Sequence, residues 1–188
     1  MSKVLIDNFD LFKVRKQSKG GCGPACLRMI LEYHDRKKGN KLGYSNEMLI
    51  EMLGCTENRG CDPWDLSRVA RKYGFVSEDT YGSADNQMEV LKEITTVGKR
   101  PSIVNWFPDK LKGHYEVVLG FYSSVNELLL ADPYSARVHR VEIDEFKDRW
   151  IDYPGMVPDK RIYTGSIVDI RPKTKEEIEF EKNCGPIL

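Results

Sequence analysis

Residues 17–33 read Gln17-Ser-Lys-Gly-Gly-Cys-Gly-Pro-Ala-Cys-Leu-Arg-Met-Ile-Leu-Glu-Tyr33, a loop that continues into a helix. The apolar residues from position 25 onwards recur at helical spacing, which is typical of a helix with one buried face. Cys22 lies where the loop becomes the helix, and Pro24 suits the first turn because a missing N–H breaks no hydrogen bond there. Unpaired N–H groups and the positive end of the helix dipole favour a thiolate at that position. Cys22 is therefore a candidate nucleophile, and an ordinary buried cysteine is the open alternative.

The composition indicates one soluble globular domain. A chain of 188 residues can bury a substantial core, and 40% hydrophobic with 31% charged residues is typical of that class. The net charge is zero, so no electrostatic signal points to nucleic acid or an anionic membrane as a partner. We expect a domain over residues 1–172 and a charged tail over 173–188. No pattern favours a particular oligomeric state.

The sequence also carries no targeting signal that we recognise. The N-terminus lacks the apolar stretch of a signal peptide, and no run of about 18 apolar residues could span a bilayer. Five cysteines at irregular spacing do not suggest a disulfide framework. We therefore expect a cytoplasmic protein with reduced thiols and no membrane insertion, although a local disulfide between Cys55 and Cys61 is conceivable.

Helical patterns dominate the first half of the chain. Ser45 and Gly54 bracket a helix over 46–53, Asp62-Pro63 starts a second that runs to 74, and Ser83 opens a third over 85–96. Together with the helix at 23–35 these make four. Short strands or an extended arm are expected at 3–6 and 11–16, and a strand at 75–81.

Strand patterns dominate the second half. Runs rich in Val, Ile, Leu and aromatic residues predict strands at 101–106, 115–122, 127–131, 137–143 and 161–170. Asp144 is expected to cap a short helix that ends at Trp150. Helices first and an antiparallel meander second describe an α+β fold with segregated halves.

A cysteine nucleophile needs a base, and the base needs an orienting group. His114 opens the strand that a short hairpin joins to the strand ending at Asp132. In an antiparallel hairpin the start of the first strand lies beside the end of the second, so these two side chains should be neighbours. A surface histidine and a turn aspartate before Pro133 are the ordinary alternatives.

The other candidates are weaker. His34 lies three turns along the helix, about 18 Å from Cys22, and so cannot reach it. His139 is expected at a solvated strand position. Cys26 is one turn after Cys22, but no matching pair at zinc-site spacing follows, so core packing is favoured over metal. No cofactor or metal is predicted.

The sequence resembles the C39 peptidase family within the papain-like cysteine proteases. The resemblance lies in residues 22–33, beginning Cys22-Gly-Pro, in residues 65–75, in His114-Tyr-Glu-Val-Val-Leu-Gly120, in Leu130-Ala-Asp-Pro133 and in residues 144–150. These pieces occur in the family's order and cover most of residues 15–150. The resemblance implies a papain-like fold with an N-terminal helical half and a C-terminal antiparallel sheet.

The resemblance also implies roles. Cys22 would be the nucleophile, His114 its general base, and Asp132 the group that orients the imidazole. Gln17 would donate to the oxyanion together with the Cys22 backbone N–H. Gln17 lies five residues before Cys22, one fewer than in typical leader-cutting domains, and Gly20-Gly21 would let the shorter loop fold so that it reaches.

We further expect Gly21, Gly113 and Trp106 to line the substrate groove, with a core position as the alternative for Trp106. The predicted function is a thiol hydrolase that cleaves a peptide or other amide bond through a thioester. An acyltransferase with the same triad is one alternative. A catalytically silent peptide-binding module is another, although intact Cys22 and His114 speak against it.

Overall fold

The computed structural model describes residues 3–40, 43–56, 60–108, 112–152 and 163–185. The helices of this part of the chain are α1 (Cys22–Lys37), α2 (Asn46–Leu53), α3 (Pro63–Lys72), α4 (Ala84–Thr96), α5 (Ile143–Asp148) and α6 (Lys175–Cys184). The strands are β1 (Lys3–Leu5), β2 (Phe75–Thr80), β3 (Ser102–Trp106), β4 (His114–Tyr122), β5 (Glu127–Asp132), β6 (Arg137–Glu142), β7 (Ile151–Asp152), β8 (Tyr163–Thr164) and β9 (Ile167–Pro172).

Seven of these strands form one antiparallel sheet. Its order is β2-β9-β3-β4-β5-β6, and β1 pairs with the second half of β4, beyond the end of β3. A bulge between Val118 and Gly120 shifts the register of β4 against β5. The strand β4 is therefore the centre of the sheet, with partners along both of its edges.

Helices cover both faces of the sheet. α1, α2 and α3 pack on one face in a cluster with Val117 and Leu119 of β4, while α4 and α5 pack on the other with Val118 and Phe121. Alternate residues of a strand point to opposite faces, so β4 contributes to both cores. Burying one such side chain contributes roughly 1.5–3 kcal/mol. Of these helices, α1 has the most buried residues, so its position on the sheet is fixed by packing.

Most predicted elements are confirmed. Ser45 caps α2 and Ser83 caps α4 through their side chains, and Gly54 ends α2 in the left-handed conformation. The α+β class with a large antiparallel sheet is confirmed as well. The two halves are less segregated than predicted, because β1 and β2 join the sheet and α4 lies on its far face.

Of the two alternatives expected for residues 11–16, the strand is wrong: a short 3-10 helix, Phe9–Leu11, is followed by chain without sheet partners. Two further local predictions are wrong. Glu142, rather than Asp144, caps α5, since its carboxylate accepts from the Glu145 N–H at 2.9 Å. The predicted last strand is two strands, β8 and β9, separated at Gly165; residues 161 and 162 lie outside the described part.

The charged tail forms α6, on which the described residues are all at least partly exposed. Arg171 and Lys173 hold it through hydrogen bonds to Glu177 and Glu181. Among the described residues, no helix combines the length and the apolar character that crossing a bilayer requires.

His34 sits inside the first core. Its Nε2–H donates to the Ile170 carbonyl at 3.0 Å, and its ring lies against Phe75. Burial lowers the pKa of His34 to about 4, against the opposing hydrogen bond to Ile170, and Lys37 lowers it further. Between about pH 4 and pH 6.5 the His34 imidazole is therefore neutral in the folded protein and protonated in the unfolded chain.

We expect this histidine to make the protein acid-sensitive. Between pH 6.5 and about 4 the unfolded chain binds the proton and the folded one does not, so stability is complete above pH 6.5 and falls as the pH drops through this window. The loss should approach about 3 kcal/mol. Urea unfolding of the native protein and of His34→Gln at several pH values measures it. If the free energy of unfolding of His34→Gln fell with decreasing pH as steeply as that of the native protein, the assignment would be wrong.

Candidate active site

Cys22 is the first residue of α1, and Gly21 is its N-cap. No acidic residue stands in the first turn, so the positive end of the helix is not neutralised there. The His114 imidazole and the backbone amides of Tyr115 and Gly23 all favour the thiolate form of Cys22. Burial alone would raise the pKa of Cys22, but the hydrogen bond and positive charge of His114 outweigh it and lower the pKa.

His114 begins β4 and reaches across to the end of β5. Its Nε2–H donates to Asp132 Oδ1 at 2.7 Å, which leaves Nδ1 for the Cys22 thiol. Burial would lower the pKa of His114, yet the bonds to Asp132 and Cys22 raise it to about 10. The hairpin thus brings the two predicted neighbours into contact, and α1 adds the cysteine.

Asp132 is also the turn residue that its sequence suggested. Its two oxygens accept from the backbone N–H groups of Tyr134 at 2.7 Å and Ser135 at 2.9 Å. Burial opposes ionisation, but the hydrogen bonds from His114 and Ser135 hold the pKa of this carboxyl well below its usual range. The turn therefore fixes the carboxylate that holds the imidazole.

The loop before Cys22 is held by contacts from distant parts of the chain. The Gln17 N–H donates to the Pro133 carbonyl at 2.8 Å, and Asn46 donates to the Lys16 carbonyl at 3.0 Å. These bonds place Gln17 next to the end of β5, beside Asp132. The Gln17 Oε1 is buried and has no hydrogen-bond partner within the described ranges.

The two glycines shape this loop. Gly20 has φ of 68°, a left-handed conformation that most residues avoid. A Cβ at Gly21 would lie 3.1 Å from the Ser18 hydroxyl and 3.2 Å from its carbonyl, which is tighter than an ordinary contact. The Gly21 N–H donates to that same carbonyl. The turn that leads into Cys22 therefore depends on small residues.

A buried carboxylate fastens the same loop to α1. Glu32 accepts from Arg15 Nη2 at 2.6 Å and from Arg28 Nε at 2.7 Å, and it also bonds to Arg36. Burial would raise the pKa of Glu32, but the bonds from Arg28 and Arg15 lower it. Arg15 lies two residues before Gln17, so the Arg15–Glu32 ion pair restricts the position of the Gln17 backbone.

The other expected groove residues are placed differently. Gly113 is exposed, directly before His114. Trp106 is only 2% exposed and packs in the second core, with its ring centroid 5.2 Å from that of Phe146. This burial agrees with the core alternative and does not support Trp106 as a wall of a substrate groove.

Sequence reasoning missed one ion pair. His139 is not simply solvated: its Nε2–H donates to Glu116 Oε2 at 2.7 Å. The signal that could have found this pair is the single acidic residue inside the otherwise apolar stretch of β4 after His114.

The other thiols of the described residues serve the core or remain free. Cys26 is fully buried and donates to the Tyr115 carbonyl, as core packing predicted, and Cys55 and Cys61 are both free thiols. Within the described residues, one set of histidine and carboxylate donors lies close enough to share an ion, namely His114, Glu116 and Asp132. The His114–Asp132 bond already occupies two of its members, and we assign no metal to it.

A comparison with protein families gives one match. The model described as the Peptidase_C39 like family matches residues 7–156, which is well over half of the chain. The chain belongs to this family. No curated protein matches it.

Solved structures show that the C39-like chain has the fold of its family. The peptidase domain of Streptococcus ComA, a bi-functional ABC transporter, is 22% identical and has a TM-score of 0.62, covering 86% of this chain and 99% of that domain. A double glycine motif protease from an AMS/PCAT transporter, solved with the leader peptide, is 17% identical with a TM-score of 0.57, covering 92% and 100%.

A third neighbour extends the likeness to a further cysteine protease. Xylellain from Xylella fastidiosa is 12% identical with a TM-score of 0.53, covering 92% of this chain and 86% of that one. At these identities the likeness concerns the fold alone. The predicted family and the papain-like fold are both confirmed.

The ion pairs of Glu32 should be important for stability. Replacing Glu32 by Gln removes the charge that three arginines share. Breaking a fully buried pair costs about 3–5 kcal/mol, and because these arginines are 25–37% exposed we expect a loss of about 2 kcal/mol. Urea unfolding measures it. Glu89→Gln, which breaks an exposed pair with Lys92, is the control and should change stability by less than about 0.5 kcal/mol.

Proposed function

We propose that this C39-like protein is a thiol hydrolase that cleaves a peptide or other amide bond, with Cys22, His114 and Asp132 as its triad. The observation that supports the proposal is the hydrogen bond of 2.7 Å from His114 Nε2–H to the Asp132 carboxylate, next to Cys22 at the start of a buried helix, where the charge of His114 lowers the pKa of the Cys22 thiol. Membership of a peptidase family supports the same conclusion.

In this mechanism the Cys22 thiolate attacks the carbonyl carbon, and the π electrons move to the oxygen. His114 then gives its proton to the leaving amine as the C–N bond breaks, which forms a thioester on Cys22. Water attacks the thioester while His114 takes a proton from it, and the acid product leaves the regenerated thiolate. Asp132 keeps Nε2 protonated and the ring oriented throughout.

The pKa values define the working range. The pKa of Cys22 is lowered and that of His114 is raised to about 10, so thiolate and imidazolium coexist between the two values. As the pH falls through the Cys22 value the nucleophile is protonated. As it rises through the His114 value the acid for the leaving amine is lost, which predicts a bell-shaped profile.

Gln17 is the proposed oxyanion donor. The N–H groups of the first helical turn have no partner within a helix, so the Cys22 N–H is the proposed second donor. The bond from the Gln17 N–H to the Pro133 carbonyl supports this role, since it holds the residue beside the end of β5.

Peptides are the proposed substrates. The AMS/PCAT neighbour was solved with its leader peptide, and this chain shares its fold. Because a nucleophilic Cys22 must stay reduced, we propose a reducing compartment such as the cytoplasm.

The thiol assignment can be tested by labelling. Under brief, limiting iodoacetamide at pH 7, the native protein should be alkylated first at Cys22, because a thiolate reacts faster than a thiol. Cys22→Ala should remove this fast reaction, and Cys184→Ala, which alters an exposed cysteine on α6, should leave it unchanged. Peptide mapping by mass spectrometry locates the label. Equal labelling of another cysteine at the same rate would disprove the assignment.

The oxyanion role predicts a kinetic split. On a peptide that the native protein cleaves, found by mass spectrometry of a digested peptide library, Gln17→Ala should lower kcat by about 10²–10³ because one donor to the oxyanion is lost. The iodoacetamide rate of Cys22 should stay within about twofold, since alkylation forms no oxyanion. If both rates fell together, Gln17 would be supporting Cys22 itself.

A further inference from the structure

Glu116 is a charged residue in an apolar place. It lies on β4, two residues after His114, and its side chain is only 3% exposed. Its register partner on β3 is Val104, and the strand continues with Val117 and Val118. A buried carboxylate is unfavourable unless it is paired, so something in its surroundings must stabilise the charge.

Two imidazoles flank this carboxylate. His139 on β6 donates from Nε2 to Glu116 Oε2 at 2.7 Å, and His114 Nε2 lies 3.9 Å from Glu116 Oε1. The alternation along β4 puts His114 and Glu116 on one face of the sheet. His139 pairs in register with Leu130 on the same face. Glu116 is thus a second negative group beside the ring that Asp132 holds.

We propose that Glu116 is a positioning residue for the thiol chemistry: its carboxylate, held by His139, keeps the His114 imidazole charged and directed at Cys22. The proposal rests on the proposed function, because it assigns Glu116 a part in the same thiolate–imidazolium pair. Asp132 binds the ring directly, while Glu116 acts across 3.9 Å without a hydrogen bond of normal length.

The charges around His114 agree with this role. Burial opposes protonation of the ring, the bonds to Asp132 and Cys22 favour it, and the charge of Glu116 also raises its pKa. The Glu116 bond in turn raises the pKa of His139. Among the described residues, Lys112 and Arg137 also lie at this edge; both are exposed, and Arg137 pairs in register with Asp132. Protonated His139 partly neutralises the negative charge of Glu116. Once His139 has lost its proton, the full charge of Glu116 stabilises the protonated form of His114.

Charge-selective variants test the idea on the full chain. Glu116→Gln removes the charge and keeps an oxygen that can accept from His139, whereas His139→Gln keeps a donor and leaves the Glu116 charge. The protonation midpoint of His114 is read from the ¹H–¹⁵N spectra of its imidazole nitrogens between pH 5 and 11. Glu127→Gln, at the far end of β5, is the matched control.

Glu116→Gln should lower the His114 midpoint by about one pH unit, a tenfold change, while His139→Gln and Glu127→Gln should not lower it. If Glu116→Gln fails to fold, Glu116→Asp, which keeps the charge and withdraws it by one methylene, should give a smaller fall. The inference is overturned if the His114 midpoint of the Glu116 variant that folds stays within about 0.3 pH units of the native value. It is also overturned if His139→Gln lowers the midpoint as much as the Glu116 variant does. A native midpoint near pH 6.5 would instead overturn the proposed function.

Discussion

The hydrogen bond between His114 Nε2 and Asp132 Oδ1 is the contact on which the site depends. It joins the start of β4 to the end of β5, and the backbone of the following turn holds the carboxylate in place. Burial by itself would raise the pKa of Cys22 and lower that of His114. The Asp132 carboxylate reverses this balance for His114, and the charged ring then does so for Cys22.

The same site needs α1 to stand at one particular place over the sheet. Its buried face packs on β4, and the Cys26 thiol, one turn into the helix, donates to the Tyr115 carbonyl at 3.2 Å, so the helix N-terminus lies at the strand end where His114 begins. The loop before it is fastened at three points: Arg15 to Glu32, Lys16 to Asn46, and Gln17 to Pro133. These bonds join segments that are far apart in sequence, so the loop conformation depends on the assembled fold.

Local chemistry explains which elements could be predicted. The N-terminal ends of α2 and α4 could be predicted from Ser45 and Ser83. The hydroxyl of each serine accepts a hydrogen bond from the backbone N–H three residues later. Residues 11–16 left a strand and an extended arm both open, because aromatic and β-branched residues can also pack without a sheet. Phe12 does so against Tyr33. The cap of α5 was missed because Glu142 and Asp144 are both plausible acidic caps, and only the backbone path selects one of them.

The sequence by itself determined a cysteine at a helix start and a hairpin that makes His114 and Asp132 neighbours. Both follow from contacts within short stretches, where spacing and turn chemistry suffice. The tertiary structure alone decided that Gln17 lies beside Pro133, that Trp106 is buried, and that Glu116 lies between two histidines. These depend on how helices pack over the sheet and on which strands become neighbours, and no local pattern encodes that packing.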